Sequence, residues 1–269
     1  MAIHTEIREV TPTEASEWLS KNEGNRTIRK RHVAMLVREM REGRWTVNGQ
    51  GIVFADTGRL IDGQHRLEAV VQFGAPVLMM VTTGVKELAY GTLDQGVKRT
   101  AGDDLRALGV SNATQVASTV RLILLWEKGL SHKNGTLAKS EIADFIIEHP
   151  DIADSVKAAY PARKSVPTSG LSAVHWMGLR SCDPSLKARM EVFMRGLETG
   201  ADLTAGSPIL TLRNSGQTIR KGASMSSGGW FGLTMQAWNA FAAGESRKVF
   251  KNTNWPDKVA GYPVKRVAI

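Results

Sequence analysis

Four polar residues, Asp62, Gln64, His65 and Arg66, crowd around Gly63 in the stretch from Gly58 to Ala69. Leu60 and Ile61 before them are strand formers. Leu67, Val70 and Val71 after them follow the spacing of a buried helical stripe. The spacing predicts a short strand, a glycine turn and the first turns of a helix. A corner that only connected a strand to a helix would not need so many donors. The unsatisfied N–H groups of a helix start favour anions, and His65 and Arg66 add donors at the same place. The chemistry predicted here is phosphate binding. Arg66 would neutralise phosphate charge, Asp62 would orient a metal-bound water or an acceptor hydroxyl, and His65 would donate to an oxygen or move a proton.

The elements that must position this corner lie on both sides of it. Thr11-Pro12-Thr13-Glu14 predicts a capped helix start with Ala15, Trp18 and Leu19 on its apolar face. Residues 25–32 are rich in cations, among them Arg26, Arg29, Lys30 and Arg31. A helix follows with Val33, Leu36, Val37 and Met40 as its stripe and Gly43 as its stop. The arginines there read either as a solvated helix entrance or as groups seated on an anion, a nucleotide or a DNA backbone. Residues 51–55 and 59–62 predict a hairpin around Asp56-Thr57-Gly58, and the corner leaves its second arm directly. Val77 to Thr82 predicts a strand central in the sheet. In the loop 94–100, Lys98 and Arg99 could close over a phosphate held by the first loop, while Thr100 and Asp103 read as a capping box.

Beyond residue 100 strand signals fade and helical periods take over. Helices are predicted at 101–108, 113–128, 139–148, 151–159, 170–181, 185–197, 208–221 and 229–243, with Asn112 as one cap and residues 222–229 as a small, polar loop. The helices 140–149 and 151–159 resemble a helix-turn-helix in spacing, but the second offers only Lys157 to DNA. The segment 244–269 is basic, with Arg247, Lys248 and Lys251 interleaved with Trp255 and Tyr262. Trp255 reads equally as a nucleic-acid contact and as an anchor for the tail.

The chain has 269 residues and a formal net charge of +9, a balance that commonly marks a polyanion partner. One cysteine, Cys182, excludes an intramolecular disulfide. No apolar run reaches membrane-spanning length and no signal-peptide pattern is present, so the expected compartment is the cytoplasm. The six histidines are scattered, which predicts no transition-metal site, and no Walker-type phosphate loop occurs.

The string Asp62-Gly63-Gln64-His65-Arg66, followed by Leu67-Glu68-Ala69, resembles the signature of the ParB-like N-terminal, or ParB/sulfiredoxin, superfamily. Asn25, Arg26 and Arg29 resemble its first Asn/Arg box, and the order of helix, hairpin and motif is similar over roughly residues 5–100. The whole chain is similar to ParB-like proteins of bacteriophages and actinobacteria. The resemblance implies an α+β chain: a ParB/sulfiredoxin-like mixed α/β domain over 1–100 and a mainly α-helical domain over 101–269 with a basic tail. It implies a nucleoside triphosphate, ATP or CTP with Mg²⁺, on Gly63, Gln64, His65 and Arg66, with Arg26 and Arg29 as partners. Members hydrolyse the nucleotide, transfer a phosphoryl group or act as nucleases. Sulfiredoxins carry a cysteine where this chain has Gln64, so sulfinic-acid repair is not expected. DNA is the expected macromolecular partner, through Arg31, Arg247, Lys248 and Lys251, in the cytoplasm of a bacterium or of a phage-infected host, and a homodimer is an option. The alternatives are a DNA endonuclease built on Asp56, Asp62 and Glu68, or a non-enzymatic DNA-binding regulator.

Overall fold

The computed structural model describes residues 2–87, 99–133, 135–220, 225–250, 254–264 and 266–267, without the side chains of 217–220. The chain divides into two compact units, residues 1–98 and 99–269. It is a mixed α+β chain, with one four-stranded sheet and eleven α-helices among the described residues.

The first unit runs β1 (His4–Val10), α1 (Pro12–Leu19), α2 (Lys30–Arg41), β2 (Ile52–Ala55), β3 (Leu60–Asp62), α3 (Gln64–Phe73) and β4 (Val77–Val85). The sheet order is β1-β4-β2-β3. β4 runs antiparallel to β1 and parallel to β2, and β2 and β3 form the expected hairpin. The Thr11 capping box forms: Thr11 Oγ1 accepts from Glu14 N at 3.2 Å and the Glu14 carboxylate accepts from Thr11 N at 3.0 Å. Gly43 ends α2 in a left-handed turn, with φ +69°. The core lies on one face of the sheet. Ala15 of α1, Val33, Val37 and Met40 of α2, and Leu67 and Val70 of α3 pack there against Ile52, Leu60, Val77, Met79 and Val81.

β4 is interior in strand order, as expected, but its burial alternates. Val77, Met79 and Val81 are buried, whereas Leu78 is 48% exposed. A continuous apolar run here fills one face only, because helices cover only that face. β1 is not predicted by its residue pattern. Six of its seven residues are exposed or half-buried, and only Val10 enters the core. An edge strand needs no apolar face, so it leaves no such signal.

The second unit holds α4 (Ala101–Ala107), α5 (Ala113–Glu127), α6 (Lys139–Glu148), α7 (Ile152–Ala159), a short 3-10 turn at Pro161–Lys164, α8 (Thr168–Leu179), α9 (Pro184–Thr199), α10 (Pro208–Arg220) and α11 (Ser227–Ala242). α8 sits centrally, packed against α5, α7, α9 and α11. Trp126, Phe193, Phe231 and Trp238 are fully buried in the core. Thr100 and Asp103 form the predicted capping box on α4. Asn112 precedes α5 in a left-handed conformation, φ +52°, and makes no side-chain cap. The predicted loop 222–229 ends earlier than expected: Ser226 accepts from Gly229 N at 3.2 Å and starts α11, so Ser227 to Gly229 are helical, while 222–224 lie outside the described residues.

Three tryptophan N–H groups tie the C-terminal segment down. Trp126 donates to Pro256 O at 2.7 Å, Trp238 to Ala260 O at 2.8 Å, and Trp255 itself to Gly228 O at 2.7 Å. Trp255 is 7% exposed and stacks on His132 with ring centres 5.3 Å apart. The Tyr262 hydroxyl donates to the Glu127 carboxylate. Of the two readings of Trp255, the anchor is the one its burial fits. Trp255→Ala is expected to cost about 3–5 kcal/mol through the cavity and the lost contacts. Urea denaturation checks this, and a loss below about 1 kcal/mol would show that the tail does not close the core.

Candidate functional site

The corner is built by a glycine that no other residue replaces without strain. Gly63 adopts φ +104° at the start of α3, and a Cβ there would meet Ile52 Cδ1 at 2.6 Å and Ile52 Cα at 3.0 Å. The left-handed conformation turns the chain from β3 into α3 within one residue. Asp62 Oδ1 accepts from Gly63 N at 2.7 Å, and Asp62 Oδ2 lies 3.6 Å from Arg66 Nη1. The Asp62 carboxylate therefore holds the turn and steers Arg66.

A loop from α1 to α2 wraps the corner and is pinned to it by polar contacts. Asn25 Nδ2 donates to Leu60 O at 2.6 Å and to Asn22 Oδ1 at 2.7 Å. Leu60 N donates to Lys21 O at 3.1 Å, and Arg59 Nη1 to Glu23 O at 2.9 Å. Gln64 is 6% exposed and bridges the same loop. Its Oε1 accepts from Asn22 Nδ2 at 2.8 Å and its Nε2 donates to Arg26 O at 2.7 Å. Gln64, expected among the phosphate contacts, is thus a clamp between α3 and the arginine-bearing loop. Gln64→Ala is expected to cost about 2–3 kcal/mol, because it removes two hydrogen bonds and empties a buried position. Chemical denaturation measures this, and a change within about 0.5 kcal/mol, as for an ordinary surface site, would contradict the clamp.

His65 is 7% exposed and joins the starts of two helices. Arg29, the residue before α2, donates its backbone N–H to His65 Nε2 at 3.0 Å. With Nε2 accepting, the neutral ring carries its proton on Nδ1. His32 meets the same ring edge-on, with centres 5.2 Å apart. The Nε2 lone pair is therefore occupied, which favours a positioning role for His65 over the catalytic base expected from its residue type.

Burial lowers the His65 pKa below the ordinary 6.5, and Arg26, Arg29 and Arg66 lower it further in that order, against a smaller opposing effect of Asp62. Three guanidinium groups thus act on one buried ring at the start of α3. Neither α2 nor α3 has an acidic residue in its first turn or a side-chain cap. Arg26 and Arg29 are exposed. Arg66 is half-buried and crosses to the strand side, with Nη1 donating to Gly51 O at 3.0 Å and Nη2 to Gln50 Oε1 at 2.9 Å. Gln50 is a partner that sequence reading did not single out.

The lowered His65 pKa sets a pH dependence. A histidine that is harder to protonate when folded lets the unfolded chain take up the proton first. Stability is therefore present above about pH 6.5 and is lost as pH falls from there through the folded value. In an NMR titration the His65 ring is expected to titrate below 6.5 without added anion, and higher when a phosphate-bearing ligand offsets the arginines. A midpoint at or above 6.5 in the free protein would contradict this geometry.

The other expected contacts fall into three groups. Arg99 is exposed and begins the second unit, while Lys98 and Lys251 lie outside the described residues. Arg31, Arg247 and Lys248 are exposed, and Arg247 Nη2 donates to Glu245 at 2.7 Å. Among the carboxylates considered for a nuclease, Asp62 is held by Gly63 and Arg66, and Glu68 accepts from Gln72 Nε2 at 2.7 Å. In the helix pair α6–α7, Lys157 pairs with Asp154 at 3.1 Å. No helix among the described residues is long and apolar enough to cross a membrane. The chain matches no family model, no curated protein and no solved structure.

Proposed function

We propose that the first unit binds a nucleoside triphosphate, ATP or CTP, by its phosphates at the corner Asp62 to Arg66, and that the chain works in association with DNA. One observation carries the reading: the starts of α2 and α3, both without a side-chain cap, are tied together by the Arg29 N–H to His65 bond and the Gln64 bond to Arg26 O, which brings the Arg26–Arg29 loop beside Arg66. Guanidinium groups and helix-start N–H groups are the donors that phosphate oxygens need. Arg26 and Arg29 would hold the outer phosphates, Arg66 would fix the edge nearest Gly51, and Gln64 and His65 would keep the loop in place. Mg²⁺ would travel with the nucleotide, because Asp62 is committed to Gly63 and Arg66. This favours binding, with hydrolysis or phosphoryl transfer dependent on a partner group, over a nuclease that needs clustered carboxylates. The net charge of +9 and the exposed Arg31, Arg247 and Lys248 support the DNA association.

Thermal shift with MgATP and MgCTP tests the reading. Ligand at 100 times its Kd is expected to add about 2.7 kcal/mol of stability. Fluorescence anisotropy on duplex DNA, with and without nucleotide, tests the partner. Absence of any shift with either triphosphate would sink the nucleotide reading and leave a DNA-binding module gripping backbone phosphate as the remaining one.

A further inference from the structure

β1 is an edge strand with one partner. Among the described residues it pairs with β4 alone, so its other edge presents a row of backbone donors and acceptors. Such an edge is a template for another strand. The side chains on it are exposed: Ile7 is 61% exposed, and Ile3 beside the strand is 65% exposed.

In β1, His4-Thr5-Glu6-Ile7-Arg8-Glu9-Val10, an acid and a base, Glu6 and Arg8, flank Ile7 on either side. In an antiparallel pair of two such strands centred on Ile7, each Glu6 faces the second copy's Arg8 and the two Ile7 side chains face each other. Thr5 faces Glu9, and His4 faces Val10. Directly opposed residues lie on the same face of a sheet. Arg8 opposes buried Met79 and Glu6 opposes buried Val81, so the two charge pairs would lie on the helix-covered side. Arg8 is already held there, with an ion pair to Glu14 and its guanidinium 5.6 Å from the Trp18 ring centre. Ile7 opposes Met80 on the uncovered side, where Leu78 is also exposed. Arg8 also lies 4.0 Å from Glu6 of its own strand, so a symmetric pair would extend these ion pairs across the edge and shield an isoleucine that water now meets.

We infer that β1 is the dimer contact of this protein, pairing antiparallel with β1 of a second copy about Ile7 and joining two four-stranded sheets into one. The contact is independent of the phosphate site, since β1 contributes none of its residues.

The full chain is examined by sedimentation equilibrium over the micromolar range. The apparent mass is expected to rise with concentration toward twice that of one chain. Ile7→Lys sets two ammonium groups against each other and is expected to weaken association about tenfold or more. Ile7 is exposed, so folding is expected to hold, and circular dichroism checks it. A positive arm uses Ile7→Cys in a Cys182→Ser background. Directly opposed antiparallel residues have Cα atoms about 4.5–5.5 Å apart, within disulfide reach. Ile7→Cys is therefore expected to oxidise to a covalent dimer, and Thr5→Cys, which faces Glu9, much more slowly. A chain monomeric throughout the range, a dimer indifferent to Ile7→Lys, or equal cross-linking of the two cysteine variants would each overturn the proposal.

Discussion

Gly63→Ala is expected to destabilise the first unit by about 2–5 kcal/mol, combining a strained left-handed alanine with overpacking of a filled site. The clash partner matters. Ile52 Cδ1 can move with its side chain, but Ile52 Cα, 3.0 Å from the added Cβ, belongs to β2 and carries the sheet with it. Native domains hold about 5–15 kcal/mol in all, so the loss would consume a large share of stability. Gly58→Ala supplies the control: it too has a left-handed backbone, φ +84°, but nothing lies within 4 Å of the new atom. Its cost is expected to stay near the backbone strain alone, about 1–2 kcal/mol. Urea denaturation of both variants gives the comparison. Equal losses would mean that the close approach of β2 to the corner is not what requires glycine at position 63.

The second large effect concerns the arginines. Arg29→Ala, alone and together with Arg26→Ala, is expected to weaken triphosphate binding by about 10- to 100-fold per residue, as for a lost charge-assisted hydrogen bond of about 1.5–3 kcal/mol. Arg29 is exposed, so the unliganded Arg29→Ala variant is expected to keep its stability within about 0.5 kcal/mol. Arg66→Ala is expected to behave differently. Its guanidinium also holds Gly51 O and the Gln50 side chain, so loss of affinity should come with loss of stability. Calorimetric titration paired with denaturation separates the two patterns. Undiminished affinity in the Arg26→Ala/Arg29→Ala double variant would remove these residues from the site.

Much of the helical part is legible in the sequence, because its signals are local. The capping boxes at Thr11 and Thr100 and the prolines at 184 and 208 mark helix starts within a residue or two of where they occur. The hairpin and the glycine corner are legible for the same reason. β1 is not, because an exposed edge strand carries no apolar alternation. Nor is Ser227 to Gly229, where two glycines read as loop although Ser226 caps them into a helix.

The candidate site is legible as a place but less so as a set of roles. Residue type marks Asp62, Gln64, His65 and Arg66 as polar and dense, but their partners come from far along the chain. Gln64 meets Asn22 and Arg26, and His65 meets the backbone of Arg29. These contacts give the Gln64 and His65 side chains a second task, holding the arginine loop. Trp255 follows the same lesson: beside lysines it resembles a nucleic-acid contact, and only its hydrogen bond to Gly228 O and its burial make it an anchor.

The central claim is that phosphate groups seat where the starts of α2 and α3 meet. The most direct measurement is a backbone amide NMR titration of the full chain with MgATP, MgCTP and inorganic triphosphate. The expected result is saturable shifts concentrated on the amides of Arg29, Lys30, Arg31, Gln64 and His65, reduced in Arg29→Ala. Shifts confined to other residues, or none with any of the three ligands, would contradict it.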